Sequence, residues 1–302
     1  MRHTKTDLVQ MQSLPLEDKI LLSKQRIKAW YEHYDGMVYV SFSGGKDSTV
    51  LKHLVDSIYD DVPSVFCNTG LEYPEVRSFA LKQPNTIRID PKIKFYDVIE
   101  RYGYPIISKE QSQFIHEVRH TSSDKLRAIR LNPNGDSGAI NTKWRYLIDA
   151  PFKISHMCCD VMKKRPFKSY EKETGRHPYV GTLAEESTIR TQHWLKYGCN
   201  AFQKTRPTST PLAFWTEQDI YQYILWNRLE IAPVYGDIIK YFGRYKTTGV
   251  QRTGCMFCCF GVHSEYEPNR FQKMKHTHPK QYQYCMETLG LHDVLEYLNV
   301  NH

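Results

Sequence analysis

This sequence predicts an α/β fold: a doubly wound, mostly parallel sheet with a helical, cysteine-bearing C-terminal subdomain. Three observations carry that prediction. A strand, a glycine turn and a helix follow one another between Met37 and Ile58. Further short apolar strands come later, separated by helical stretches. Cysteines gather at Cys158-Cys159 and at Cys255-Met256-Phe257-Cys258.

Taken in order, Leu16 to Tyr34 places Leu16, Ile20, Leu21, Ile27, Trp30 and Tyr31 among charges, an amphipathic helix after Pro15 that Asp35-Gly36 ends. Met37 to Phe42 reads as a buried strand. Ser43-Gly44-Gly45-Lys46-Asp47-Ser48 turns the chain, and Val50, Leu51, Leu54, Val55 and Ile58 then recur at helical spacing. This is the opening of a parallel βαβ unit. Ser64 to Cys67, Thr86 to Ile89 and His177 to Thr182 are the next strands expected, in a sheet of about five. A polar stretch from about Ser108 to Gly175, with a loop-like centre at Asn132 to Asp136, reads as an insertion. Thr216-Glu217-Gln218-Asp219 is a capping box for a helix through Ile224. The expected division is a helical segment over 1–35, a nucleotide-binding domain over 36–210 and a cysteine-bearing helical region over 211–302. There is no internal repeat and no low-complexity tract.

Composition narrows the function. Over 302 residues, 40% are hydrophobic and 25% charged, ordinary globular usage that excludes disordered and fibrous classes. No apolar run approaches the roughly 18 residues that cross a bilayer, and the N-terminus has no apolar signal region. Eight cysteines without an export signal point to thiols used as ligands or reagents. The expectation is a cytoplasmic protein. Lys and Arg number 41 against 33 Asp and Glu, a formal charge of +8 that favours an anionic partner.

The glycine turn is the sharpest chemical signal. Gly44 and Gly45 let backbone N–H groups converge on a phosphate, and the following helix adds the positive end of its dipole. Lys46 adds a point charge, while Ser43 and Ser48 can donate to phosphate oxygens. The spacing is not that of a Walker loop, so a GTPase or motor is not expected. A turn that merely needs glycine is the bland alternative.

With these residues the sequence resembles the PP-loop ATP pyrophosphatases, whose members hold ATP by its phosphates and adenylate a substrate. Val65 to Glu75 is similar to the phosphoadenosine-phosphosulfate reductase branch, which carries Asp where Asn68 stands. Gly181 to Ser187, with Glu186 and with Arg190 beyond, resembles that branch's second phosphate or sulfate motif. Pro211 to Trp215 and Tyr235 to Cys255 fit its C-terminal pattern. The resemblance implies ATP and Mg2+ held by Ser43, Gly44, Gly45, Lys46, Asp47, Ser48, Asn68, Gly181, Glu186 and Ser187, with Lys46, Asp47 and Arg190 acting in catalysis.

Four thiols from two segments, Cys158, Cys159, Cys255 and Cys258, can hold zinc or a 4Fe–4S cluster. A vicinal pair plus one C-x-x-C suits a cubane better than a single tetrahedral ion. The arrangement resembles the cluster pattern of adenosine-phosphosulfate (APS) reductases and of DNA-phosphorothioation proteins. Buried cysteines behaving as small hydrophobes are the alternative. Cys67, Cys199 and Cys285 read as core, Cys259 as a spare thiol, ligand or core. His276 and His278 read as surface residues.

No cysteine stands near Leu298 to His302, where sulfonucleotide reductases carry their nucleophile, so the expectation leans away from reduction. Basic residues interleave with aromatics over Arg190 to Arg206, including Trp194 and Tyr197, and over Tyr241 to Arg252, including Tyr245. That pattern suits phosphate contact and base stacking, with solvated charge over core aromatics as the alternative. The function expected is an iron–sulfur-dependent sulfurtransferase that adenylates an acceptor, DNA or tRNA among them, and releases pyrophosphate. A cysteine desulfurase is the kind of sulfur donor implied. An APS or PAPS reductase and a nucleotide-sensing module with a structural metal and no turnover remain the alternatives.

Overall fold

A computed structural model describes residues 3–132 and 138–302. Most of the loop-like centre expected at Asn132 to Asp136 lies outside them. In chain order the strands are β1 (Val38–Phe42), β2 (Ser64–Cys67), β3 (Thr86–Ile89), β4 (Ile106–Ile107), β5 (His177–Val180), β6 (Asn200–Ala201), β7 (Thr208–Ser209), β8 (Ile238–Tyr241), β9 (Arg244–Thr247) and β10 (Cys259–Phe260). Backbone contacts divide the chain into two compact units, one comprising 1–68, 72–90 and 167–253, the other 69–71, 91–166 and 254–302.

The first unit is built on a six-stranded sheet of order β3-β2-β1-β5-β7-β6. Its pairings are parallel except β6 with β7. The expected sheet of about five strands thus gains a short antiparallel edge. Register is fixed by side-chain alternation, since a one-residue slip would exchange the two faces. Val38, Val40 and Phe42 face one core with Ile27, Trp30, Leu51 and Leu54, while Tyr39 and Val65 pack with Tyr170 on the other side. Both faces are covered, as a parallel sheet requires.

The N-terminal helix Leu16–His33 is part of this unit rather than a separate segment. Buried Lys19 pairs with Asp219 at 2.7 Å. Trp215 Nε1 donates to Ser23 Oγ at 2.9 Å, and Tyr179 Oη donates to Ile27 O at 2.8 Å. Asp219 also closes the expected capping box, accepting from Thr216 N at 2.7 Å. The boundary expected near residue 210 therefore moves. The helix Glu217–Asn227 and the hairpin β8–β9 belong with the sheet, and the cysteine-bearing part begins at 254.

The second unit joins the insertion to the C-terminal region. The polar insertion carries helices before its expected loop-like centre: Ser108 caps Lys109–His120 and Ser123 caps Asp124–Arg130. Arg119 gathers the carbonyls of Leu147, Ile148, Ala150 and Phe152 at 2.6–2.9 Å, so one cation ties the 147–152 turn to the helix. β4 and β10 pair in parallel, setting Cys259 opposite Ile106. Tyr104 Oη donates to Leu289 O at 2.8 Å, anchoring the last helix pair. Among the described residues no helix is long and apolar enough to cross a membrane.

Candidate functional site

β1 ends at Phe42, and the helix Lys46–Asp56 starts immediately after the glycine pair. Gly44 has φ +71°, and a Cβ there would sit 2.9 Å from Val76 Cγ1 and from the Val76 carbonyl oxygen. Glycine is required by both conformation and space. The serines fold inward: Ser43 N–H donates to Ser48 Oγ at 3.2 Å, Gly45 N–H donates to Ser43 Oγ at 3.3 Å, and Ser48 Oγ donates to the Gly45 carbonyl at 2.9 Å. Lys46 N–H donates to Tyr235 Oη at 3.0 Å, and that hydroxyl lies 2.8 Å from Thr253 Oγ1. The loop's donors are thus held by hydroxyls, groups that can rotate to yield to a phosphate.

The Lys46 side chain is almost wholly buried and lies 3.1 Å from Glu217 Oε1 and 3.6 Å from Asp47 Oδ2, with the Gln251 carbonyl at 3.4 Å. Burial alone would lower the Lys46 pKa, but the charges of Asp47, Tyr235 and Glu217 more than offset it and raise it. Burial pushes the Asp47 carboxyl up, with Lys46 opposing, and its Oδ1 has no hydrogen-bond partner. A cavity of about 140 Å³ opens here, lined by Lys46, Asp47, Leu183, Glu185, Glu186, Glu217 and Arg252.

Sheet topology explains why the cavity lies where it does. β1 neighbours β2 on one side and β5 on the other, and the chain leaves in opposite directions from this pair. The crevice outside the carboxyl ends of such strands is where open α/β sheets bind ligands. Gly181, at the end of β5, lets that strand approach closely, since a Cβ would be 3.0 Å from the Asp47 carbonyl. Glu186 accepts from Leu183 N–H at 2.9 Å and pairs with Arg190.

The structure brings Ser43 to Ser48, Gly181, Glu186 and Arg190 together around the helix start. Ser187 is the cap of Thr188–Tyr197, accepting from Arg190 N–H. Asn68 stands at the end of β2, where its Nδ2 donates to Asp90 Oδ1 at 2.8 Å. Tyr235, Glu217 and Arg252 were not singled out for this site from sequence. Tyr235 lies 189 positions from Lys46, and nothing local marks that contact.

Trp194 does not fit the stacking role expected of it. It is 2% exposed, packs in the core of the first unit and lies 4.8 Å from the His3 ring. Trp194→Ala should cost about 3–5 kcal/mol of stability, the usual penalty for emptying a buried aromatic site. Thermal unfolding checks this, and ligand binding by the protein that remains folded should be unchanged.

The four cysteines expected as ligands all belong to the second unit. The Cys158 thiol donates to the Cys159 sulfur and is itself pushed up, with burial and the charges of Cys159, Cys255 and Cys258 adding to the rise. Cys159 is lowered to about 6, first by that hydrogen bond, with Lys109, Lys163 and Lys164 assisting against burial. Among the described residues no three His, Cys, Asp or Glu side chains stand in an arrangement that holds a metal ion. Cys67, Cys199 and Cys285 are buried, as expected, and Cys259 is fully so.

Comparison with known proteins finds similarity along most of the chain. A 24% identical uncharacterized protein of Methanocaldococcus jannaschii aligns over 272 residues, 87% of this chain but 51% of that protein. The chain thus spans about half the length of that relative. The adenosine 5'-phosphosulfate reductase of Anoxybacillus flavithermus is 21% identical over 243 residues, covering 76% of this chain and 80% of that protein. The crystal structure of a phosphoadenylyl-sulfate reductase from Candida auris, a phosphate complex, covers 80% of this chain and 98% of its own at 14% identity and a TM-score of 0.43. The model of the phosphoadenosine phosphosulfate reductase domain matches residues 37–132 and 108–259, from the first strand through both cysteine pairs. A match of that extent makes the chain a member of the phosphoadenosine phosphosulfate reductase domain family.

Proposed function

We propose that the protein is an ATP-dependent sulfurtransferase that adenylates an acceptor oxygen on a nucleic acid and releases pyrophosphate. One observation carries the choice of ATP: the cavity at Lys46 sets two cations, Lys46 and Arg252, against four carboxylates, Asp47, Glu185, Glu186 and Glu217. Arg190 offsets Glu186, and a bare sulfonucleotide would still meet more carboxylates than cations there. A nucleotide triphosphate arrives with Mg2+, which binds hard oxygen ligands and bridges phosphates to carboxylates. The unpartnered Asp47 Oδ1 fits such a role, directly or through a metal-bound water.

In this reading Lys46 leaves Glu217 for a phosphate oxygen, and the loop N–H groups turn from Ser43 and Tyr235 to the same phosphate. The acceptor oxygen bonds to the α-phosphorus while the α–β bridging bond breaks, its electron pair leaving with pyrophosphate. Lys46 and Arg190 offset the charge on the transferring group. AMP leaves when a sulfide-level donor replaces the activated oxygen.

Cys158, Cys159, Cys255 and Cys258 would hold a 4Fe–4S cluster. The donor chemistry supports this: four thiols come from two segments of the second unit, and Cys159 is lowered first by its hydrogen bond from Cys158 and then by Lys109, Lys163 and Lys164. When bound, the cluster supplies iron that can hold sulfide.

A second reading, reduction of a sulfonucleotide, is favoured by the APS reductase relative, whose length is largely covered. Product analysis separates the two. Pyrophosphate released from ATP in the presence of nucleic acid, with no sulfite from APS or PAPS, is expected; sulfite without pyrophosphate would overturn the proposal.

A further inference from the structure

With Trp194 in the core, exposed aromatic residues of the first unit stand on the hairpin β8–β9. Its turn is Phe242-Gly243, at φ +44° and +78°, the left-handed pair that matches strand twist in a tight hairpin. Phe242 is 88% exposed and Tyr241 53% exposed. Their rings meet edge to face at 4.4 Å. Phe242 and Tyr241 together form an exposed aromatic patch at the hairpin tip.

From Ile238 to Thr247 the hairpin carries Lys240, Arg244 and Lys246 and no carboxylate. The cations lean on rings: Lys246 Nζ lies 3.6 Å from the Tyr241 centroid and Lys240 Nζ 5.8 Å from that of Tyr245. The stem is held rigidly. Gln218 accepts from Tyr245 N–H at 2.7 Å and donates to the Tyr245 carbonyl at 2.9 Å.

Both feet of the hairpin stand on the glycine loop. Before β8, Tyr235 accepts from Lys46 N–H; after β9, Gln251 accepts from Lys46 Nζ and Arg252 lines the cavity. Four residues of strand at roughly 3.4 Å each place the tip about 14 Å beyond that base. A chain gripped at the tip can therefore run down the stem to the cavity.

We infer that the β8–β9 hairpin is a binding site for single-stranded nucleic acid, with Phe242 and Tyr241 stacking on unpaired bases and Lys240, Arg244 and Lys246 contacting phosphates. This rests on the nucleic-acid acceptor proposed above and names where that acceptor is held. Aromatic faces among cations are the usual platform for unpaired strands. Three cations with no carboxylate among them favour a phosphate backbone over a protein partner.

The test uses the full chain and labelled 20-nucleotide single-stranded RNA and DNA, without ATP, at several salt concentrations. Wild type should bind with steep salt dependence, and Phe242→Ala should weaken binding roughly 5- to 100-fold. Lys240→Ala and Arg244→Ala should each flatten the log–log salt slope by about 0.7. Unfolding temperature and ATP affinity should stay at wild-type values, since Phe242 touches neither core nor cavity. Salt-dependent binding unaffected by Phe242→Ala would overturn the hairpin site and leave the nucleic-acid acceptor standing. No binding to either strand, or salt-independent binding, would overturn both, while pyrophosphate release with a small acceptor would preserve adenylation. Loss of a protein contact but not of oligonucleotide binding in Phe242→Ala would also overturn the site and identify a protein docking surface.

Discussion

Replacing Lys46 by Ala should weaken ATP binding by about 1.5–3 kcal/mol, the scale of a lost charge-assisted hydrogen bond, and pyrophosphate release should fall at least as far. The reasoning begins with what Lys46 does without nucleotide. Its ammonium lies within 3.1 Å of Glu217 and 3.6 Å of Asp47, in a pocket where its side chain is 4% exposed. A buried ammonium is kept charged only by such partners. ATP phosphates offer the same charge with better geometry, so Glu217 occupies the place of the ligand. Removing Lys46 leaves carboxylates facing phosphate across a cavity that holds Arg252 as its other cation. Lys46→Met, which keeps most of the stem, separates charge from packing. It should bind ATP as poorly as Lys46→Ala while unfolding closer to the wild-type temperature. Calorimetric titration with MgATP checks both, and equal affinity in wild type and variants would show that the loop is only a turn.

What the sequence made legible follows from the range of the forces involved. β1, the glycine turn and its helix are encoded within about twenty consecutive residues, and their strand and helix periods differ sharply. The Thr216 capping box is equally local. β6 and β7 are two residues each, too short to show any period, and they form by hydrogen bonding to an edge that already exists. The helices at 109–120 and 124–130 carried cap signals in Ser108 and Ser123, but their polar composition concealed them. Within the site, Lys46 and Asp47 were legible because a glycine loop announces its neighbours. Tyr235, Glu217 and Arg252 were not, because topology rather than spacing brings them to the loop. Trp194 was misjudged for a related reason: an aromatic among charges looks the same in sequence on either face of a helix. Only the packing of Thr188–Tyr197 decides which face is covered, and it buries Trp194 and Leu195.

Anaerobically purified protein should show a broad absorption band at about 400 nm with iron and labile sulfide, the behaviour of thiolate-bound 4Fe–4S centres, and Cys258→Ser should abolish it. The argument runs from donor chemistry. Thiolates are the ligands, so a site must tolerate accumulated negative charge, and the 158–159 segment is followed by Lys163 and Lys164 with Lys109 acting from another helix. At Cys258 burial raises the thiol, and the Arg270 charge opposes it while its guanidinium donates to the Cys258 carbonyl at 2.9 Å. A buried thiol of this kind stays protonated unless a metal takes the proton's place. Serine keeps the size but is a far poorer ligand for iron, so the loss should appear in the spectrum before it appears in the fold. Cys199→Ser is the matched control. That thiol sits buried in the first unit and is pushed up to about 11 by burial, against Trp194 and Arg26, so its replacement should leave the band intact. Stoichiometric zinc without iron in anaerobic preparations would overturn the cluster, and bleaching by Cys199→Ser equal to that by Cys258→Ser would mean the loss reports instability rather than ligation.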